Sequence, residues 1–498
     1  MEEDFVRKTI FCMDTALHQV LNGEQTLEIK LQEGMPDVGR VLIAWGQPVL
    51  RSKEWQDEQV QFSGGMMVWV LYEPEDGSEV QWVQGWVPFQ MRWELPENTP
   101  EGVLRLRCLN RFVDGRNTSP RRILVRAGMA VQTEAFVPRE LVIAQPRQRP
   151  DKVALLENTY PVRLAKEAGE KHFPLEEELY LPDSVPKMVQ ILSWRYCPRV
   201  ADQRVLTDKA VFRGNGNLHV LYRSETGQIH NWDFEVPFSQ FAQLQGEYGS
   251  EARVDVAMMP TALELELQEN GHLDLRGGIT AQYVITDKEP LTLVEDAYSP
   301  NWDLTVSREE FIVPVVLENR RENIYGEETI SVPADITADV QFLPDFPRQR
   351  RTQNGMELQY PGQFQVLYYA QDGQLQGMTT RWEGKQTITA HEDSNIFAVP
   401  VGAEAQAMVG SDRIQVKAEI PVELITMTQQ KIPMVTAVEL GQPKQPDPNR
   451  PSVILRRAGD CRLWDIAKAT GSTMEAICRA NGLAGEPAPE QMLLIPVP

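Results

Sequence analysis

The sequence predicts a mainly β protein, made of three tandem β-sandwich-like modules followed by a small α+β domain. An alternating apolar motif that ends in tyrosine occurs three times in the 498 residues, with the tyrosines 150 and 146 residues apart. Self-similarity at a fixed spacing is the mark of repeated structural units. After residue 440 the composition changes, first to a proline-rich stretch and then to residues with helical spacing.

The first repeated strand occupies residues 67–72, 217–222 and 363–368 and ends each time in Val-Leu-Tyr. Its apolar residues alternate with a period of two, which is the period of a strand. We expect the tyrosines, which share a face with the valines, to lie in the core with each hydroxyl bonded to the backbone. The opposite face varies between the copies and is expected to be less constrained. Its aligned residues are Trp69, His219 and Gln365.

Further signals recur with the same spacing. A turn follows each copy, with Asp-Gly at 76–77 and 372–373 and Thr-Gly at 226–227, as in tight hairpins. A Pro-Asp landmark opens each module, and we align residues 36–38 with 182–185 and 333–336. A second strand alternates over nine residues in each copy, at 123–131, 273–281 and 414–422. Its outward face carries a base each time, which either pairs across strands or binds an acidic partner. These bases are Arg126, Arg276 and Lys417.

These signals place module 1 at residues 1–150, module 2 at 151–295 and module 3 at 296–440. Several short alternating strands separated by turns favour sandwiches over βαβ winding. Residues 441–451 contain four prolines and predict an extended linker. Residues 452–498 predict strand, helix, helix and strand. Ser472 and Glu475 form a capping box for the second helix, and Asn481-Gly482 ends it.

Charge and composition exclude several classes of function. The chain has 49 Lys and Arg against 71 Asp and Glu, a formal charge of -22, so its field repels nucleic acid. No apolar stretch is long enough for a membrane helix. The N-terminus lacks the basic and apolar regions of a signal peptide, and the 5 cysteines are scattered. We therefore expect a cytoplasmic protein that does not cross a membrane.

The sequence offers little chemistry. It lacks the nucleophile elbow, the phosphate-binding loop and the His-Glu-x-x-His zinc motif. Gly214 and Gly216 precede a strand and not a helix, so a turn explains them better than a phosphate site does. The histidines do not cluster. We expect no enzymatic activity, no catalytic residue, no metal and no cofactor.

The C-terminal segment, residues 452–498, resembles a LysM domain. The resemblance rests on Gly459-Asp460, residues 463–468, Ile477, Asn481-Gly482-Leu483 and residues 491–496. LysM domains bind N-acetylglucosamine-containing glycans in a groove between two loops. Here Cys461 replaces the usual threonine, Arg462 is an added residue and Glu490 replaces a glycine. Trp464 either anchors an interface or caps the small core. The predicted groove and interface residues are Gly459, Asp460, Cys461, Leu463, Trp464, Ile466, Asn481, Gly482 and Leu483.

The three modules resemble the SPOCS domain. The resemblance rests on residues 36–38, 70–72 and 87–89 in the first copy and on 212–222 and 236–241 in the second. SPOCS repeats followed by LysM is the layout of SipL-type spore coat morphogenesis proteins. The resemblance implies a structural adaptor in the mother-cell cytoplasm, at the forespore surface, whose LysM domain docks to the coat basement-layer ATPase.

The sequence leaves two other interactions open. A peptidoglycan-binding cell-wall protein is the alternative function, acting through the LysM groove. Free sheet edges in three consecutive β modules could also pair between chains and build layers.

Overall fold

The computed structural model describes residues 2–3, 5–146, 152–353, 355–389, 394–445 and 451–497. The chain is mainly β, as predicted, with two short helices near the C-terminus among these residues. Neither helix of the described part is long and apolar enough to span a bilayer. The predicted boundary at residue 150 and residues 446–450 of the linker lie outside the described residues. We keep the names module 1, module 2 and module 3 for the predicted ranges.

Strands are numbered in chain order. Those of module 1 are β1 (Glu2–Glu3), β2 (Phe5–Lys30), β3 (Val38–Gln56), β4 (Gln59–Pro74), β5 (Gln81–Glu94), β6 (Val103–Ser119) and β7 (Arg122–Pro146). Those of module 2 are β8 (Ala154–Leu179), β9 (Met188–Ser224), β10 (Ile229–Tyr248), β11 (Arg253–Leu267) and β12 (Leu273–Tyr298). Those of module 3 are β13 (Trp302–Ile330), β14 (Ala334–Pro344), β15 (Arg348–Thr352), β16 (Gly355–Ala370), β17 (Leu375–Ile388), β18 (Ser394–Pro400), β19 (Glu404–Val409) and β20 (Ile414–Pro443).

In each module the first long strand and the last strand pair antiparallel. β2 pairs with β7, β8 with β12 and β13 with β20. The first two pairs join one six-stranded sheet in the order β11-β12-β8-β2-β7-β6, while β20 is the centre of a five-stranded sheet. The predicted boundaries at 295 and 440 fall within β12 and β20, and the division into modules stays a prediction.

The middle of each module forms a smaller sheet: β3-β4-β5 in module 1, β10-β9 in module 2 and β14, β15 and β17 around β16 in module 3. Gly77, Gly227 and Gly373 have φ angles of 72°, 81° and 78°, which confirms the three predicted turns. Between β3 and β4, Asp57 has a φ of 50°, and Thr207 within β9 has a φ of 48°. The two halves of β9 lie against each other, because a Cβ on Gly214 would be 1.9 Å from the Arg199 carbonyl oxygen. β9 therefore folds back on itself, and Thr207 lies midway between these two residues.

The predicted inward face forms the core. Tyr72 and Tyr222 are fully buried, and each hydroxyl donates a 3.1 Å hydrogen bond to a carbonyl 36 residues earlier, that of Pro36 or Pro186. The prediction for these two tyrosines is confirmed. The bonds also correct the alignment of the opening landmark, because Pro186 and not Pro182 has the contact that Pro36 has. Tyr368 is also buried.

The opposite face is equally buried, so the expectation of a less constrained side is wrong. Trp69, His219 and Gln365 are 1%, 6% and 2% exposed. They lie where the modules meet: Trp69 packs against Trp194 with ring centroids 5.3 Å apart, and the Gln365 amide donates to the Ala44 carbonyl at 3.1 Å. Residues of all three modules share this buried cluster, which therefore holds them together as one body.

The C-terminal segment contains β21 (Val453–Arg457), α1 (Leu463–Thr470), α2 (Met474–Asn481) and β22 (Met492–Pro496). β21 and β22 pair antiparallel. The predicted capping box is wrong, because Thr473 is the N-cap of α2 and accepts from the Ala476 amide at 3.1 Å. Ser472 donates its hydroxyl to the Pro496 carbonyl instead. Gly482 ends α2 with a φ of 64°, as predicted.

Candidate interaction site in the C-terminal segment

Two loops of the C-terminal segment lie side by side, the one before α1 and the one before β22. The amides of Ala458 and Gly459 donate to the carbonyls of Gln491 and Pro489, both at 2.9 Å. The amide of Leu463, the first residue of α1, donates to the Glu486 carboxylate at 2.7 Å. A carboxylate at this position satisfies a free amide of the first turn and complements the helix dipole. These bonds fix the rim of the predicted groove.

The predicted groove residues divide into those that are exposed and those that support the fold. Gly459, Asp460, Cys461 and Gly482 are exposed along the rim, and Leu483 is half-buried.

The Asn481 side chain is occupied within the segment. Its amide donates to the Ile477 and Leu494 carbonyls at 2.8 and 2.7 Å, and its oxygen accepts from the Leu494 amide at 2.8 Å. It therefore ties α2 to β22 and has little capacity left for a ligand.

Leu463 and Ile466 lie in the core of the segment, 1% and 0% exposed. They pack with Ile477, Leu493 and Ile495. A side chain with this burial offers no surface to a partner, so both residues stabilise the segment and do not contact a ligand.

Trp464 contacts the rest of the protein. It is 3% exposed, and its ring packs edge to face against Tyr298 with centroids 4.7 Å apart. Its indole Nε1 donates to the Asp296 carboxylate at 2.9 Å. Both partners belong to β12. Trp464 therefore packs in the core of the segment and also joins the segment to β12. Its role at an interface with another protein stays a prediction.

Polar bonds extend the same interface. The Asp296 carboxylate also accepts from Lys468 at 2.7 Å and from Arg308 at 2.5 Å. Although burial raises the pKa of Asp296, the bonds from Lys468, Trp464 and Arg308 lower it to about 2. The Tyr298 hydroxyl donates to the Ser472 carbonyl at 3.0 Å, and burial raises the pKa of Tyr298 to about 12. The segment is thus held to β12 by an ionised aspartate and a neutral tyrosine.

The two-stranded sheet of the segment leaves one apolar face uncovered. Val453, Leu455, Met492 and Leu494 are 46%, 69%, 58% and 39% exposed, whereas Leu493 and Ile495 on the other face are fully buried. Leu455 lies opposite Leu494 in the strand register. We call these four residues the apolar sheet face. It exposes on the order of 400 Å², about the size of the largest apolar patch on a typical monomer, which is often functional.

Sequence reasoning missed the apolar sheet face, although a signal was present. Both strands carry apolar residues at consecutive positions, such as Val453-Ile454-Leu455 and Met492 to Ile495. A strand with one solvated face normally alternates apolar and polar residues. Apolar residues on both faces of an edge hairpin therefore point to an unfilled contact.

The predicted outward bases are exposed and paired on their own sheets. The nitrogen–oxygen distances are 2.5 Å for Arg126 and Glu24, 3.2 Å for Arg276 and Asp274, and 3.8 Å for Lys417 and Glu327. Surface pairs of this kind contribute little to stability. An acidic partner would have to compete with these carboxylates.

One grouping of possible metal ligands occurs among the described residues: Glu178, His272 and Asp274, with ligand atoms within 4.8 Å of one another. The His272 Nε2 lies 2.9 Å from an Asp274 oxygen, and the Glu178 carboxylate accepts from the Tyr180 hydroxyl at 3.2 Å. His272 thus pairs with Asp274, and Glu178 with Tyr180, at a partly exposed site. The absence of a metal stays a prediction.

Comparison with known proteins gives one match. Residues 187–266 match the family model described as SipL, SPOCS domain. No curated protein and no solved structure matches the chain. The matched segment covers β9, β10 and nearly all of β11, and includes residues 212–222 and 236–241, on which the SPOCS resemblance of module 2 rests. This part of the chain is therefore similar to the SPOCS domain of SipL.

Proposed function

We propose that this chain is a non-enzymatic structural adaptor of spore coat assembly, of the SipL type. The observation that carries the proposal is the match of residues 187–266 to the SipL, SPOCS domain model. Modules 1 and 3 would be further SPOCS domains, since they share the tyrosine motif and the turn of module 2. The C-terminal segment would be a LysM domain.

In this proposal the three modules are a rigid support. Their middle sheets share the buried cluster that contains Trp69, Trp194 and Leu367, and their long strands share a second cluster that contains Ile10, Leu293 and Val313. Interfaces that are packed and apolar on this scale do not allow the parts to move freely. The support holds the C-terminal segment through Trp464 and so fixes the direction in which its free surface points.

We assign the apolar sheet face to docking on the coat basement-layer ATPase, in the mother-cell cytoplasm at the forespore surface. Two observations support a protein partner. The face is apolar, and exposed leucine and methionine side chains contribute most when a protein surface removes them from water. The family match and the LysM resemblance point to a coat protein as that partner.

The alternative is a peptidoglycan-binding protein of the cell wall. It is favoured by the exposed rim at Gly459, Asp460 and Gly482, which lies where LysM domains bind N-acetylglucosamine-containing glycans. The two proposals use different surfaces of the same segment, so variants of each surface separate them.

The test measures binding of the full chain to the purified basement-layer ATPase and to purified peptidoglycan. The Leu455→Arg, Leu494→Arg double variant places two charges on the apolar sheet face. Leu206→Arg is the matched control, because Leu206 is 49% exposed in module 2. We expect the double variant to lose at least about tenfold in affinity for the ATPase, since buried unpaired charges are costly, and Leu206→Arg to bind like the wild type.

Equal binding by all three proteins, or no binding by the wild type, would contradict the docking proposal. Binding to peptidoglycan that an Asp460→Ala variant loses and the double variant keeps would establish the alternative.

A further inference from the structure

A cavity of about 970 Å³ lies where the long strands of the three modules meet. β2 and β7 of module 1, β8, β11 and β12 of module 2, and β13 and β20 of module 3 all contribute side chains to its wall. Its size falls within the range of natural small-molecule sites. It lies outside the C-terminal segment, and of its lining residues Arg253, Val254 and Asp255 fall in the segment that matches the SPOCS domain. Binding of a ligand there does not depend on the proposed function.

Much of the wall is apolar, and the apolar residues come from all three modules. A flexible chain that lies along such a wall gains from each side chain that it removes from water. The apolar lining includes Phe136, Val284, Val316, Leu317, Ile425 and Met427.

The carboxylates of the wall are already neutralised. Each of the four lies within 3.2 Å of a guanidinium nitrogen, so none of them is left to bind a cation. The pairs are Asp14 with Arg139, Glu134 and Asp255 with Arg105, and Glu318 with Arg320.

Two guanidinium groups of the wall have no such partner. Arg163 donates to the carbonyl oxygens of Glu251 and Thr286 at 3.0 and 3.4 Å. Arg253 is exposed beside it, and within the described ranges neither side chain forms an ion pair with a carboxylate. Burial and the neighbouring charge of Arg253 lower the pKa of Arg163. The carboxylates of Asp287 and Glu251 oppose this shift without forming an ion pair with Arg163. Arg163 and Arg253 are therefore the charged side chains of the wall that have no ion pair among the described residues, and both are cations.

We propose that this cavity binds an amphipathic anion, a carboxylate on a single acyl chain. The carboxylate lies between Arg163 and Arg253, where a guanidinium offers two parallel donors to its two oxygens. The acyl chain runs along the apolar wall. Because that wall combines strands of three modules, the ligand would bridge them.

Isothermal titration of the full chain with dodecanoate, below the concentration at which it forms micelles, tests the proposal. We expect saturable binding of one dodecanoate per chain. Arg253→Glu should weaken it at least about tenfold, the loss expected when a charge-assisted hydrogen bond is replaced by repulsion. Arg413→Glu is the matched control, since Arg413 is also exposed, lies outside the cavity and forms no ion pair among the described residues.

Two further ligands and one further variant test the carboxylate and the acyl chain separately. Dodecan-1-ol lacks the charge and acetate lacks the chain, so both should bind at least about tenfold more weakly than dodecanoate. Met427→Trp adds bulk to the apolar wall and should remove binding without lowering the unfolding temperature. No saturable binding of dodecanoate, equal affinities of Arg253→Glu and Arg413→Glu, or equal binding of dodecanoate and dodecan-1-ol would overturn the proposal.

Discussion

Replacing Trp464 by alanine in the full chain should release the C-terminal segment from β12. The indole is 3% exposed and has contacts on two sides. On one side it closes the small core with Leu463 and Ile466, and on the other it packs against Tyr298. The substitution leaves the apolar sheet face untouched. It therefore separates docking within the chain from docking to a partner.

The magnitude follows from the buried area and the hydrogen bond. A buried tryptophan removes about 150–250 Å² from water. At about 25 cal/mol per Å², and after allowing for the alanine that remains, this is about 3–5 kcal/mol, the usual cost of Trp→Ala in a core. The share that belongs to the interface comprises the edge-to-face pair, about 0.5–1.5 kcal/mol, and the bond to the Asp296 carboxylate, about 1.5–3 kcal/mol. The interface should therefore lose about 2–4 kcal/mol.

Hydrogen exchange followed by mass spectrometry resolves the effect. In Trp464→Ala, amides of α1 and amides near the end of β12, residues 294–298, should both exchange faster. A loss of about 2–4 kcal/mol corresponds to a factor of about 30 to 1,000 in the opening equilibrium. Leu455→Ala is the control, because Leu455 is 69% exposed on the opposite side of the segment. It should leave both regions unchanged.

Faster exchange in α1 with no change at residues 294–298 would refute the reasoning. Trp464 would then belong to the core of the segment alone. The contacts with Tyr298 and Asp296 would not hold the segment to the body.

Three further changes test separate parts of the structure. The lowered pKa of Asp296, about 2, means that its ionised form stabilises the fold above about pH 4 and that this contribution is lost as the pH falls towards 2. Because Asp296 is partly solvated, Asp296→Asn should cost about 1–2 kcal/mol in urea unfolding at pH 5 and about a third of that at pH 2.5, where most of the folded protein still carries the ionised carboxylate. Thr207→Gly should raise stability by about 0.5–1 kcal/mol, because threonine is strained at a φ of 48°. Asp57→Gly should have less effect, since aspartate tolerates this conformation. Glu134→Gln should cost about 3 kcal/mol, because it removes one of the two carboxylates, Glu134 and Asp255, that the buried guanidinium groups of Arg105 and Arg107 share.

Each of these has a contrary outcome. Equal stability of wild type and Asp296→Asn at pH 5 would show that the ion pair does not stabilise the interface. A lower unfolding midpoint in Thr207→Gly than in Asp57→Gly would argue against strain at that bend. A loss below about 1 kcal/mol in Glu134→Gln would show that water replaces the missing charge.

The secondary structure could be predicted from sequence because its signals are local. The period of two at residues 123–131 identifies a strand, and Ile123, Val125 and Val131 are fully buried in β7 as that period requires. The Gly77 and Gly227 turns follow from the positive φ that glycine accepts. The N-cap of α2 is Thr473, one residue after the predicted Ser472. Both residue types are good N-caps, but the Ser472 hydroxyl donates to the Pro496 carbonyl and leaves the capping position to Thr473.

The contacts between modules could not be predicted, because they join residues far apart in the chain. His219 and Gln365 are polar, and their variation between the copies predicts a less constrained face. The structure buries them and supplies partners from another module: Asp339 lies 2.9 Å from the His219 Nε2, and the Ala44 carbonyl accepts from Gln365. A polar residue at a buried interface has the same sequence pattern as one in water.

The same limit applied to the candidate site. The sequence showed that Trp464 lies off the face shared by Leu463 and Ile466 on α1, and left open whether it anchors an interface or caps the core. Only the structure places Tyr298 and Asp296 against it, 166 and 168 residues earlier in the chain.

The most direct test of the central claim is the position of the fluorescently tagged full chain in sporulating cells of an endospore-forming bacterium that encodes it. We predict fluorescence in the mother cell that concentrates at the forespore surface as the coat assembles, and diffuse mother-cell fluorescence for the Leu455→Arg, Leu494→Arg variant. Fluorescence along the cell wall, or wild-type protein that stays diffuse throughout sporulation, would contradict the claim.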